Sequence, residues 1–189
     1  LSSKVIFNMA SNNNLRVFDL KKNKINGGSV QYFICKKEAK YKTNFKVIKN
    51  TLREEKKMKL ESKKTYLNFF KQINEVKSKL IKLLHSIILN NKTIHGYGAS
   101  TKGNVILQYF EINRKYIKFI ADRNINKFNH YTPGTKIKII SEKKSRKLSP
   151  DYYLVLPWHF KREILRRERL TIKRGSKFIF PFPKLSIYQ

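Results

Sequence analysis

The run Gly96-Tyr97-Gly98-Ala99-Ser100-Thr101-Lys102-Gly103-Asn104 holds the residues best suited to binding a ligand. Glycines let a backbone come close to a phosphate, and the amides that open a helix direct partial positive charge at it. Ser100, Thr101 and Lys102 add hydroxyl and ammonium donors. The spacing is not that of a Walker A loop, because Asn104 stands where the lysine belongs after Gly98 and Gly103. Nor does it complete the dinucleotide fingerprint, since Thr101 occupies the third glycine's place after Gly96 and Gly98. By mechanism alone the run is read as a phosphate cradle in preference to a tight structural turn.

Asp122 ends a strand, where an α/β domain often places a sugar contact, although a short acid there serves equally as a turn cap. Pro157-Trp158-His159 follows another strand and offers a stacking plane and a titratable ring. His85 falls inside an apolar helix and is read as structural. The four histidines and single cysteine, Cys35, lack metal-ligand spacing, so no metal site is expected. There is no Gly-x-Ser-x-Gly elbow and no paired-carboxylate constellation. The residues alone describe a phosphate-ligand-binding α/β domain without visible catalytic machinery.

The elements that hold these residues are legible from periodicity. Val5, Ile6, Met9 and Ala10 share a helical face with no capping residue expected before it, so the segment reads as the tail of a helix. Leu15 to Leu20 and Val30 to Ile34 read as strands of a hairpin joined through Asn26-Gly27-Gly28. Residues 37–50 are polar and basic, a linker by composition. From Thr51 a helical pattern sets in, with Tyr66, Phe69, Ile73, Val76, Leu80, Leu83 and Ile87 at steps of three and four. Phe70, Leu84 and Ile88 widen that stripe beyond a coiled-coil seam, which favours packing on the helix's own domain. Strands follow at Thr93–Tyr97, Ile117–Ala121, Lys136–Ile140, Tyr152–Leu156 and Phe178–Phe180. Helices intervene after Asn104 and from Phe160 to about Lys173, the latter closed by Gly175. The alternation predicts an α/β fold, a Rossmann-like, mostly parallel sheet with its site at the strands' carboxyl ends.

The chain has 189 residues with 43 Lys plus Arg against 12 Asp plus Glu, a formal charge of +31. At 40% hydrophobic and 13% aromatic it can bury a core, which excludes wholesale disorder, and 7 Gly with 5 Pro exclude collagenous sequence. One cysteine excludes an internal disulfide framework and suits a reducing, cytoplasmic setting. No window reaches ~18 uninterrupted apolar residues, and the start has no secretory signal, so no membrane role is expected. The charge invites a nucleic-acid partner. Lysine outnumbers arginine 33 to 10 and is scattered, however, which favours a compositional background over a selected footprint.

Five ordered motifs carry a resemblance: His95 to Asn104, Asp122-Arg123-Asn124, Tyr131-Thr132-Pro133-Gly134, Leu156 to Phe160, and Gly175 to Pro181. Together they closely resemble the C-terminal domain of S-adenosylmethionine-dependent sugar C-methyltransferases, which place a branching methyl group on nucleotide-linked deoxysugars. Asn26-Gly27-Gly28-Ser29 looks like the segment closing that family's methyltransferase domain. The resemblance implies three stretches: 1–36, the closing helix and hairpin of a class I methyltransferase domain; 37–60, a helical connection; and 61–189, the Rossmann-like substrate domain.

It also implies that the zinc-binding cysteines, the cofactor loop for S-adenosylmethionine and the catalytic Tyr and His lie upstream in family members. None of these can be carried onto a residue here, so no catalytic residue is expected in this chain, with Asn26 and Ser29 at most neighbours of the reaction centre. The implied ligand is a nucleotide diphosphate sugar. Its expected contacts are Tyr97, Gly98, Ala99, Ser100, Thr101, Lys102, Gly103 and Asn104, flanked by Asp122, Arg123, Asn124, Tyr131, Pro133 and Gly134, with Trp158 and His159 facing nucleotide or sugar. Activity would need another polypeptide to supply the separate or missing methyltransferase domain. The rival expectations are a non-catalytic basic module for nucleic acid or another polyanion, and a nicotinamide-dependent reductase, the latter disfavoured by the missing third glycine.

Overall fold

The computed structural model describes Leu1–Gln189, the side chain of Asn26 excepted. The chain forms two compact units, Leu1–Lys71 and Gln72–Gln189.

In the first unit, α1 (Ser3–Asn12) is followed by β1 (Leu15–Asn23) and β2 (Ser29–Lys36), an antiparallel hairpin. Its turn uses Gly27 and Gly28 at φ +89° and +129°, the region expected of the Asn-Gly-Gly sequence. α1 has a cap of its own, contrary to expectation: Ser2 accepts a hydrogen bond from the Val5 amide. α2 (Phe45–Lys57) begins earlier than the polar composition suggested, capped by Asn44. Glu55 on α2 accepts the Ser3 and Lys4 amides, which sets a carboxylate at the positive end of α1. The polar stretch before α2 is strapped down by Arg16, which donates to the carbonyls of Lys37, Ala39 and Tyr41 and to the Thr43 hydroxyl. Hydropathy carries no sign of such a side chain-to-backbone clamp.

α3 (Lys63–Leu89) leads into the second unit. Tyr66, Phe69 and Phe70 are exposed, whereas Leu80, Leu84 and Ile87 are buried, with Ile73, Val76, Leu83 and Ile88 packed beside them. The sheet contains β3 (Ile94–Tyr97), β4 (Phe119–Asp122), β5 (Lys138–Ser141), β6 (Tyr152–Val155), β7 (Lys177–Phe180) and β8 (Ser186–Tyr188), in spatial order β5-β4-β3-β6-β7-β8. All neighbours are parallel except β8, which runs antiparallel to β7. β3 lies between β4, which follows it in sequence, and β6, which begins the return on the other side. This is the topological switch point at which ligands bind α/β sheets.

α4 (Thr101–Tyr109) follows β3 and α5 (Glu142–Lys147) follows β5. The helix expected from Phe160 to Lys173 is instead a 3-10 turn, Trp158–Phe160, then α6 (Lys161–Arg167) and α7 (Arg169–Lys173). The break falls at Glu168, which is only 1% exposed and turns inward to the half-buried Arg146. Gly175 ends α7 at φ +101° as expected. β8 was not foreseen: Pro181 and Pro183 interrupt the pattern before a strand of three residues.

Candidate functional site

Glycine at three positions sets how the β3 loop meets its neighbours. A Cβ on Gly96 would lie 2.7 Å from Ile120 Cγ1. One on Gly98, already at φ +82°, would lie 2.7 Å from the Pro157 ring, and one on Gly103 would lie 2.5 Å from Leu156 Cβ. Gly103 therefore performs the close helix-strand packing that the dinucleotide fingerprint assigns to its third glycine, two positions beyond Thr101.

Most amides of this loop are already engaged. Gly98 N–H donates to Ala121 O (2.7 Å), Ala99 N–H to Asp122 Oδ2 (2.7 Å), Ser100 N–H to Gly98 O (2.9 Å) and Gly103 N–H to Ser100 Oγ (3.1 Å). Asp122 also accepts the Asn124 amide on Oδ1 at 2.8 Å, and Asn124 caps the following 3-10 turn through Asn126 N–H. Of the two readings open for Asp122, its observed bonds are those of the turn cap.

Loop, strand ends and α6 enclose a cavity of about 190 Å³ at the switch point. Tyr97, Gly98, Ala99, Ser100, Asp122 and Arg123 of the expected contacts line it. Lys127, Glu142, Phe160, Glu163 and Arg167 also line it and were not foreseen as contacts. Apart from Phe160, which ends one of the five motifs, their only sequence signal is the i,i+4 spacing of Glu142 with Arg146 and of Glu163 with Arg167.

Beneath the cavity lies a polar network. Tyr97 O–H donates to Glu168 Oε1 at 2.7 Å and accepts from Arg167 Nη2 at 2.7 Å, with the Arg167 guanidinium 5.6 Å from the Tyr97 ring centroid. Arg167 also binds Glu142 Oε1 (2.9 Å), while Arg146 bridges Glu142 and Glu168. Burial pushes the Tyr97 hydroxyl well above the usual phenol range. Burial acts to raise Glu168 as well, but hydrogen bonds from Arg146, Thr171 and Tyr97 outweigh it and hold the carboxyl below its ordinary value. On β3 itself, buried His95 has Nδ1 2.7 Å from Ser145 Oγ, and burial lowers it to about 4.

The remaining expected contacts lie elsewhere. Trp158 packs on Phe182, ring centroids 5.1 Å apart, which turns its ring into the core. His159 sits edge-on to Trp158; burial and then the nearby Lys102 ammonium hold it below the ordinary histidine range. Its Nδ1 and Asn104 Oδ1 are the two buried side-chain atoms without a hydrogen-bond partner among the described residues. Tyr131 is exposed, and Pro133 and Gly134 pack on α4 through Gln108, beside Thr101 and Asn104. In the first unit Ser29 Oγ closes the hairpin turn on Ile25 O, and the Asn26 side chain lies outside the described residues. Among the described residues no group of three or more His, Cys, Asp or Glu could hold a metal ion, and no helix is long and apolar enough to cross a membrane.

A mostly parallel sheet with a glycine-shaped loop, an acid closing β4 and a cavity at the switch point describes a Rossmann-like α/β domain. The chain belongs to the C-methyltransferase C-terminal domain family, whose model matches residues 24–183. It is similar to the C-methyltransferase NovU of Streptomyces niveus, with 30% identity over 170 residues, covering 90% of this chain and 40% of that protein. The chain thus spans well under half the length of that curated relative.

Proposed function

We propose that the second unit is the nucleotide-sugar-holding part of an S-adenosylmethionine-dependent C-methyltransferase that methylates a sugar carbon beside a keto group. The observation that carries this reading is the coincidence of the family match with a switch-point cavity whose rim presents Ser100, Arg123 and Lys127. Hydroxyl, guanidinium and ammonium donors are the chemistry a diphosphate needs.

S-adenosylmethionine supplies an electrophilic methyl group wherever it is bound. The residues of this crevice do not fit it: both Asp122 oxygens are taken by the Ala99 and Asn124 amides, and both Glu142 oxygens by Arg146 and Arg167. Neither of these two carboxylates is left for ribose hydroxyls, and the third in the cavity, Glu163, is shared by Arg123 and Arg167, so no transfer step is assigned to these residues. Their work is to bind and orient the acceptor, which is worth rate only when donor and carbon are aligned. The first unit, in this reading, closes the methyltransferase domain.

Calorimetric titration of the purified chain with a thymidine diphosphate sugar tests the proposal. Binding is expected, and Lys127→Ala should weaken it by about 1 to 3 kcal/mol through loss of a charged hydrogen bond. No heat at millimolar ligand would count decisively against it.

A further inference from the structure

Two guanidinium groups from different elements converge on one carboxylate oxygen at the mouth of the switch-point cavity. Glu163 Oε1, on α6, lies 3.4 Å from Arg167 Nη1 and 4.0 Å from Nη1 of Arg123, which comes from the loop after β4. The Glu163 and Arg123 side chains are 45% and 65% exposed, so neither is locked by packing. Arg167 is fixed from behind by the Tyr97 hydroxyl and Glu142. Lys127 adds a third cation to the same cavity, its Nζ 2.8 Å from Ala99 O and 3.7 Å from Asp122 Oδ2. At about 190 Å³ the space is small for a whole nucleotide but suits a phosphoryl group entering from the rim.

We infer that Glu163 occupies the place of a phosphoryl oxyanion, and that Arg123, Arg167 and Lys127 form a subsite for that anion. A half-exposed carboxylate shared by two arginines at these distances contributes little to stability and can swing into solvent. A phosphoryl group offers more charge and more acceptor oxygens to the same pair, matching a guanidinium fork edge to edge. The identification of the anion as the diphosphate of a nucleotide sugar rests on the function proposed above. The subsite itself rests on the convergence of these side chains.

The geometry makes an unusual demand: removing an acid should improve binding. Inorganic pyrophosphate titrated into the full 189-residue chain is the probe. Glu163→Gln should tighten it by about threefold or more and Arg123→Gln should weaken it by a similar factor, the scale of one exposed charge pair. Glu111→Gln is the control for a change of net charge: it removes the same charge from an 80% exposed carboxylate paired with Lys77 beyond the far end of α4. It should leave the affinity unchanged. Failure of the parent chain to bind pyrophosphate, no tightening by Glu163→Gln, or equal tightening by Glu111→Gln would each overturn the subsite. A parallel titration with thymidine diphosphate sugar separates the two ideas. If the sugar binds and neither cavity variant alters it, the subsite falls and the functional reading stands. If pyrophosphate responds as expected and the sugar does not bind, the subsite stands and the functional reading falls.

Discussion

The Ala99 amide donates to Asp122 Oδ2 at 2.7 Å, so a carboxylate closing β4 holds the loop that leaves β3. With Asn124 N–H on the other oxygen and Lys127 Nζ 3.7 Å away, one side chain organises both loops at the edge of the cavity.

Asp122→Ala should therefore destabilise the second unit by about 2 kcal/mol, because two amides lose a charged acceptor and the Ala99 amide is buried where water replaces it poorly. Asp122→Asn keeps one acceptor and should cost less. Trp158, the single tryptophan, lies in this unit and packs on Phe182, so its fluorescence during urea unfolding reads the effect. Equal stability of the alanine variant and the parent would refute the tie.

Gly103 sits inside α4, where alanine is intrinsically the better helix former by ~1 kcal/mol. The 2.5 Å approach of a new Cβ to Leu156 Cβ reverses that preference. Gly103→Ala should lower stability by about 1 to 3 kcal/mol as β6 and α4 are forced apart. A raised melting temperature would show that the contact relaxes freely.

The alternation of helix and strand is written plainly in hydrophobic periodicity, and each strand from β3 to β7 falls within a few residues of its expected position. Periodicity reports burial along one element, and it does so well for Ile120, Leu154 and Ile179. It is blind to what distant polar groups do for one another. Arg16 binding three carbonyls, Glu168 bending α6 away from α7, and Arg167 reaching Tyr97 all join residues far apart in sequence. The loop at Gly98 was legible as special, but its glycines could not reveal that the Gly98 and Ala99 amides are spent on Ala121 and Asp122. The cavity's cations were hidden for a related reason: in a chain with 43 basic residues, Lys127 and Arg167 carry no distinguishing mark until the fold brings them together.

Glu168 is 1% exposed and keeps its charge chiefly through Arg146, Thr171 and Tyr97, with Arg167 Nε farther off at 3.9 Å. Arg146→Met should cost about 3 to 5 kcal/mol, since it strands a buried carboxylate. Adding Glu168→Gln to that variant should restore a substantial part, because the stranded charge is then gone. Additive losses in the double variant would mean that the pair is not coupled.

His95 gives the fold a defined acid sensitivity. Its pKa falls from an ordinary 6.5 to about 4, chiefly by burial and secondarily by the Lys118 charge, so the folded state favours the neutral ring. The unfolded chain takes up a proton below about 6.5 and the folded chain does not, so stability is whole at neutral pH and declines as pH falls from 6.5 toward 4. Below 4 both states are protonated and this contribution is flat. Integrated over the window the loss is roughly 3 kcal/mol. The depressed Glu168 acts in the same direction but only below its ordinary 4.5, so the interval above that belongs to histidine. His95→Gln, which keeps a polar group toward Ser145 without titrating, should narrow its stability gap from the parent chain as pH drops through this interval. A gap that stays constant from pH 7 to 4.5 would mean that His95 is protonated inside the fold.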